Sequence, residues 1–482
     1  MSFASRLVLP ALASVLGIVV LTTAPATAAP VTPDAYDDDR AQSFLEDYVG
    51  RHGLPGAAYA VVQDGELVAQ GATGGLSADT PMSVGSLAKS FTAFAVLQLV
   101  DDEQVDLDAP VTRYLDDFSV GGADADDITV RRLLSHTSGL PNPLLVPSTG
   151  SLAEDVAHIA DLDVGSAPGT TYAYSNLNYR TLARLVEVVS EQDFDAYLED
   201  RIFEPLGMTD TRSVIAVSDT EGLDDGHVTA YGFALPLPEL RGDVGGAGGV
   251  ISTANDVARW LEMQQLGGVT PDGTRLLSER LVAESHTVQP KAKTYGFGWQ
   301  HTTTASPARI GHDGSLTRYS SRMDLVPSSG YGVAVLLDSY TPTIQHPFSI
   351  STGLIEISEG RAPEVGFPVA TLVDLVVGAV TVLVAGLGVR GVLRSRRWAD
   401  RRRNQPTWRF ALRLVPQLVM PVLAGVLFVG LTVGEGNAAT PLDAFGLWPA
   451  ATTLVLVSGV VGLALVAARS LGRHRTSRTS QA

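Results

Sequence analysis

The chain has 482 residues, more than one typical domain, and no cysteine, which excludes disulfides, thiol catalysis and cysteine-ligated metal. Residues 30–361 carry 20 Lys+Arg against 47 Asp+Glu, whereas residues 362–482 carry 13 against 5. An acidic body of this kind argues against nucleic acid as a partner, because phosphate binding needs clustered Lys and Arg.

The N-terminus has the tripartite layout of a secretory signal: Arg6, an apolar stretch over residues 7–21, and the small residues Ala26-Thr27-Ala28 before a cleavage point. Residues 1–28 are expected to be removed, with the body that follows outside the cytoplasm. Residues 30–36 read as a linker. Residues 37–52 read as an amphipathic helix, with Phe44, Leu45 and Tyr48 at helical spacing. Residues 57–63 and 66–70 flank Asp64-Gly65, a two-residue hairpin turn. Residues 86–100 are apolar and helical in period, which puts Ser86 at a helix start. Further helices are expected over 128–135 and 179–190. Strands return over 296–301, 309–312, 318–326 and 331–338, with Ser328-Ser329-Gly330 as a turn. Strands at both ends and helices between them predict an α/β body over residues 33–361, a sheet closed by both ends with a helical second lobe.

The tail differs in kind. Residues 367–389 hold one charge, Asp374, and as a helix would reach about 35 Å, enough for a bilayer core of roughly 30 Å. Residues 414–433 and 447–467 are two more such stretches, so three transmembrane helices are expected. Residues 390–413 contain nine arginines and the end after Ala468 four, whereas residues 434–446 hold only Glu435 and Asp443 as charges. The positive-inside rule then runs the first span outward to inward and leaves the C-terminus cytoplasmic, in a multi-pass cell-membrane protein. Asp374, about 10 Å into that span, reads as a carboxyl near the outer interface.

Three clusters carry chemistry. In Ser86-Leu87-Ala88-Lys89 the lysine lies one helical turn from the serine, on the same face. Serine needs a base to become a nucleophile, and a lysine serves only with a lowered pKa. The chain has three lysines, at 89, 291 and 293, against 31 arginines; arginine, which is never deprotonated, could not replace Lys89 in this role. In Tyr172-Ala173-Tyr174-Ser175-Asn176 a phenol and a carboxamide stand two residues apart on a turn, placed to relay a proton and to hold a substrate amide. Alone it reads better as a polar loop with a packed aromatic. In Gly311-His312-Asp313-Gly314-Ser315 a histidine precedes a glycine past which a substrate backbone could run.

Together these resemble the penicillin-recognising serine hydrolases, specifically the class C β-lactamase and D,D-peptidase-like family, whose marks are S-x-x-K, Y-x-N and a third motif of K-T-G or H-x-G type in this order. Leu133-Leu134-Ser135-His136-Thr137-Ser138-Gly139-Leu140, Pro205-Leu206-Gly207-Met208 and the segment from Gly248 to Asp256 are similar to further segments of that family. His136 in such a segment is expected to be structural. The resemblance covers residues 35–360 and leaves the tail outside.

The resemblance implies a β-lactamase/transpeptidase-like antiparallel sheet flanked by helices. It implies attack by Ser86, proton traffic through Lys89 and Tyr174, His312 as a further catalytic group, and substrate contacts from Asn176, Asp313, Gly314 and Ser315. The oxyanion hole would be the N–H groups of Ser86 and Ser315, and no metal or cofactor is required. Asp313 departs from the lactamases and carboxypeptidases, which usually carry Thr there for the substrate's carboxylate; an aspartate facing the site would repel it. The expected activity is therefore that of a membrane-anchored esterase or amidohydrolase of D,D-peptidase-like kind. Its substrate would be a small ester, amide or peptide, with cell-envelope peptide as the leading natural candidate and membrane lipid as the tail's partner. Two rivals stand beside it: a β-lactamase, and a sensor that acylates without turnover.

Overall fold

The computed structural model describes residues 36–143, 149–220, 222–433 and 441–479; the expected signal peptide lies outside them. Helix α1 (Asp38–His52) starts at Asp37, whose carboxylate accepts from Arg40 N at 3.1 Å, and stops at the left-handed Gly53. Strands β1 (Ala57–Gln63) and β2 (Glu66–Thr73) form the expected hairpin, and Asp64 and Gly65 both take the positive φ that its tight turn demands. A small hairpin, β3 (His227–Ala230) and β4 (Phe233–Pro236), pairs through β3 with Ser339–Tyr340. The remaining main strands are β5 (Gln300–Thr302), β6 (Arg309–Ser315), β7 (Ser320–Val326) and β8 (Tyr331–Leu337).

The main sheet has the order β2-β1-β8-β7-β6-β5, antiparallel throughout. The pairing of β1 with β8 closes it from both ends of the body. Strand β1 is apolar without alternation because both its faces are covered. Ala58, Ala60 and Val62 enter one core, with the helical lobe, while Ala57, Tyr59 and Val61 enter the other, with α1 and the helix His346–Ser358. Strand β5 is shorter than the sequence suggested: Gly296–Trp299 precede it without strand pairing.

Four helices matter for the site and its support. Helix α2 (Ala88–Asp101) is buried on every side from Ala88 to Leu99, which makes it a core helix. Helix α3 (Asn176–Ser190) begins three residues earlier than its apolar period, at the end of the Tyr174 turn. Helix α4 (Ala254–Gln265) starts at Thr253, whose hydroxyl accepts from Asp256 N at 3.0 Å. Helix α5 (His346–Ser358), not expected from the sequence, covers the outer face of the sheet with Ile350 and Leu354.

The tail folds as α6 (Val369–Leu393), α7 (Val415–Val433), α8 (Pro441–Leu447) and α9 (Pro449–Thr479). Among the described residues two helices, Val369–Leu393 and Pro449–Arg473, are long and apolar enough to cross a membrane. The remaining stretch expected to span, residues 414–433, folds as α7, a predominantly apolar helix of 19 residues with Pro421 inside it, about 28 Å long.

Candidate active site

Ser86 lies in a single 3₁₀ turn, Gly85–Leu87, that leads into α2. It is half-buried in a run, residues 82–90, that is otherwise buried, so its hydroxyl is the group a substrate can reach. Gly85 takes φ +52°, and a Cβ there would stand 2.7 Å from Ser315 N. The bare backbone thus lets the serine turn lie against the end of β6. Gly314 serves the same contact from the other side: a Cβ would meet Val84 O at 2.0 Å. The space that the sequence seemed to leave for a substrate backbone at Gly314 is filled by the turn that carries Ser86.

Lys89, one turn on, is fully buried. Its Nζ lies 3.0 Å from Ser86 Oγ, 2.8 Å from Asn176 Oδ1 and 2.6 Å from Ala247 O. Burial, followed by the nearby Arg180 guanidinium, pushes its pKa well below the ordinary 10.5. Tyr174 donates from its hydroxyl to Ser86 Oγ at 2.8 Å. Burial raises the Tyr174 phenol, so it keeps its proton and remains a donor. Three of the predicted residues, Ser86, Lys89 and Tyr174, therefore meet at one oxygen, and Asn176 is joined to them through Lys89.

The Tyr174 turn is held by His136. The carbonyl of His136 accepts from Ala173 N at 2.9 Å, and its Nδ1 accepts from Ser175 N at 3.1 Å. The ring lies against Tyr174, Tyr179 and Tyr295 with centroids 4.3–5.1 Å apart. Burial, Lys89 and His312 keep it neutral, well below the ordinary 6.5.

His312 stands behind this group. Its ring centroid is 6.3 Å from that of Tyr174. Its Nδ1 lies 2.6 Å from Asp313 O, which only accepts, so Nδ1 carries the proton and Nε2 accepts from Tyr295 Oη at 2.9 Å. Burial and then Lys89 push its pKa down to about 3. Tyr295 escaped the sequence reading; the signal was the run Thr294-Tyr295-Gly296-Phe297-Gly298-Trp299, where aromatics alternate with glycines. Asp313 points elsewhere. It pairs with Arg322, its cross-strand partner on β7, at 3.1 Å, while Arg322 also binds Asp324. Successive strand residues face opposite sides, so the carboxylate lies on the face away from His312. The repulsion expected of it would need the opposite orientation.

A second charged group went unread. Arg180, on α3 and buried, donates to Asp155 Oδ2 at 3.0 Å and to the carbonyl of Asp243. Burial raises Asp155 to about 7 despite that partner. Beside the Ser86 group opens a cleft of about 280 Å³, whose walls include Asn176, Arg180, Leu240, Ser315, Leu316 and Leu447.

Residues 41–345 match the family described as Beta-lactamase. The chain belongs to this family of serine hydrolases. It is 34% identical over 343 residues to Penicillin-binding protein 4 of Amycolatopsis lactamdurans, covering 66% of this chain and 90% of that one. It is 28% identical to unguisins hydrolase ungD' of Aspergillus campestris, over 62% of this chain and 61% of that one. Among solved structures, the octameric penicillin-binding protein homologue of Pyrococcus abyssi superposes with a TM-score of 0.58 at 23% identity, over 69% of this chain and 79% of that one. The D-amino acid amidase of Ochrobactrum anthropi SV3 superposes with a TM-score of 0.57 at 23% identity, over 67% and 98%. These two likenesses concern the fold.

Proposed function

We propose that the chain is a membrane-anchored, extracytoplasmic serine hydrolase that cleaves an ester or amide through an acyl-Ser86 intermediate. The observation that carries this is the surroundings of Lys89. Two of its three polar neighbours, Asn176 Oδ1 and Ala247 O, can only accept. A neutral amine donates its two protons to them and turns its lone pair to the third, Ser86 Oγ.

Ser86 then loses its proton to Lys89 as Oγ bonds to the substrate carbonyl. The N–H groups of Ser86 and Ser315 are positioned by the Gly85–Ser315 contact to receive the oxyanion; such a donor is typically worth about 10²–10³ in turnover. On collapse the bond to the leaving group breaks, Tyr174 gives that group its proton, and Lys89 restores the phenol. Water attacks the acyl carbon, and the released proton returns to Ser86. His312, neutral and bonded to Tyr295, positions the aromatic wall behind Tyr174. Asn176 holds Lys89 through Oδ1 and offers its amide nitrogen to the substrate.

Anchoring is supported by two helices whose apolar side chains are largely exposed, Leu375, Val382 and Leu383 among them. The arginine-rich stretch between residues 390 and 413 supports a cytoplasmic side there. The orientation of Asp313 removes the argument against carboxylate-bearing substrates. With a penicillin-binding protein as a relative, that restores D,D-peptides and β-lactams as candidates. The full chain in detergent should be assayed against an aryl ester, a D-amino acid amide, a D-Ala-D-Ala peptide and a chromogenic cephalosporin, with Ser86→Ala beside it. Turnover of at least one that vanishes in Ser86→Ala is expected; equal turnover in Ser86→Ala would refute the mechanism. A lasting adduct without turnover would select the sensor reading.

A further inference from the structure

The tail meets the catalytic body at two buried points. Asp374, on α6, is 5% exposed. One carboxylate oxygen accepts from Tyr231 N at 3.0 Å, at the tip of the β3–β4 hairpin. The other accepts from the Trp448 indole N–H at 3.0 Å. A carboxyl on an apolar helix is costly unless its oxygens are satisfied; here both are, one by the body and one by the entry to α9. The carboxyl expected near the outer interface joins three segments. The second point is Arg318, 2% exposed and just beyond β6, which donates to Gly446 O at 3.0 Å. The loop bearing Arg318 is itself fixed, because the Glu239 carboxylate accepts from Thr317 N and Arg318 N, each at 2.9 Å.

These contacts set α8 at the mouth of the site. Leu447 lines the same cleft as Asn176 and Ser315, the residues that flank Ser86, and with Leu240 and Leu316 gives that cleft an apolar side. Trp448, the amphipathic type that favours the edge of a bilayer, follows it, and the membrane-length stretch Pro449–Arg473 begins one residue later. The cleft therefore opens where the membrane begins.

We propose that residues 443–448 are a specificity-determining wall of the cleft, and that the substrate is an amphiphile held in the outer face of the bilayer, its ester or amide presented to Ser86 at the membrane surface. This deepens the membrane-anchored hydrolase reading and rests on it. Asp374 is a positioning residue, since it acts through α8 and touches no reacting atom.

The test uses the full chain in phospholipid nanodiscs and two esters of one aryl alcohol, a water-soluble acetate and a bilayer-held myristate. Asp374→Ala should lower kcat/KM on the myristate about tenfold, the effect of losing hydrogen bonds to a charged group, while the acetate rate stays within about twofold. Asp374→Asn, which keeps the shape and one acceptor, should fall between Asp374→Ala and the unaltered chain on the myristate. Equal loss on both esters in Asp374→Asn, or no loss on the myristate in either variant, would overturn the proposal. Hydrolysis of either ester by Ser86→Ala would instead overturn the underlying mechanism, so the two failures are distinguishable.

Discussion

A lysine held by two carbonyl oxygens and one hydroxyl, with no carboxylate bonded to it among the described residues, is an unusual cation and an ordinary amine. Its lowered pKa, from burial first and Arg180 second, follows from that setting. The rate should therefore fall as pH drops through that lowered value, and a kcat/KM profile on an aryl ester should show its acid limb below 10.5, the ordinary value. The same group makes stability rise with pH up to 10.5, because the unfolded chain binds a proton that the folded chain has shed. Lys89→Arg, which keeps a cation but cannot shed its proton, should lower kcat/KM by about 10²–10⁴; a loss under tenfold would remove Lys89 as the base. At Asp313 the expectation runs the other way. Asp313→Thr should change the preference between carboxylate-bearing and neutral substrates by less than about twofold, since the side chain faces the buried Arg322, which keeps its bonds to Asp324. A large gain on carboxylates would place that side chain in the cleft after all.

Ser86–Lys89 and Tyr174–Asn176 could be read from the sequence because each is local, fixed by one helical turn or one tight turn. The facing of Asp313, the Tyr295–His312 bond and the Arg180–Asp155 pair could not, because each depends on register or on segments far apart in the chain. The hairpin at Asp64-Gly65 was legible from its turn chemistry, whereas α5 was hidden: its mostly apolar run, His346 to Ser358, shows little helical asymmetry. The glycines of the third motif were legible as a close approach, but not of what. Gly314→Ala would drive a Cβ into Val84 O, and forcing β6 from the serine turn should cost about 1–3 kcal/mol and lower turnover. A thermal melt and an ester assay on the same preparation would show both; an unchanged melting temperature would mean that the turn and strand part without cost.

The molecule as a whole joins a two-core enzyme body to a tail that sequence reads only as an anchor. The signal for anchoring was composition, which is additive along the chain. The signal for docking was a single aspartate, whose partners lie 143 and 74 residues away. In the membrane-anchored form proposed for the chain, the hairpin tip, the loop after β6 and α8 would bring the cleft to the bilayer edge. All of this turns on Ser86 forming a covalent acyl-enzyme. The most direct measurement is the intact mass of the full chain after brief exposure to a penicillin or an active aryl ester, followed by peptide mapping. The account predicts one added acyl group, carried by the peptide containing Ser86 and absent in Ser86→Ala. An adduct on another residue, or one of equal yield in Ser86→Ala, would contradict it.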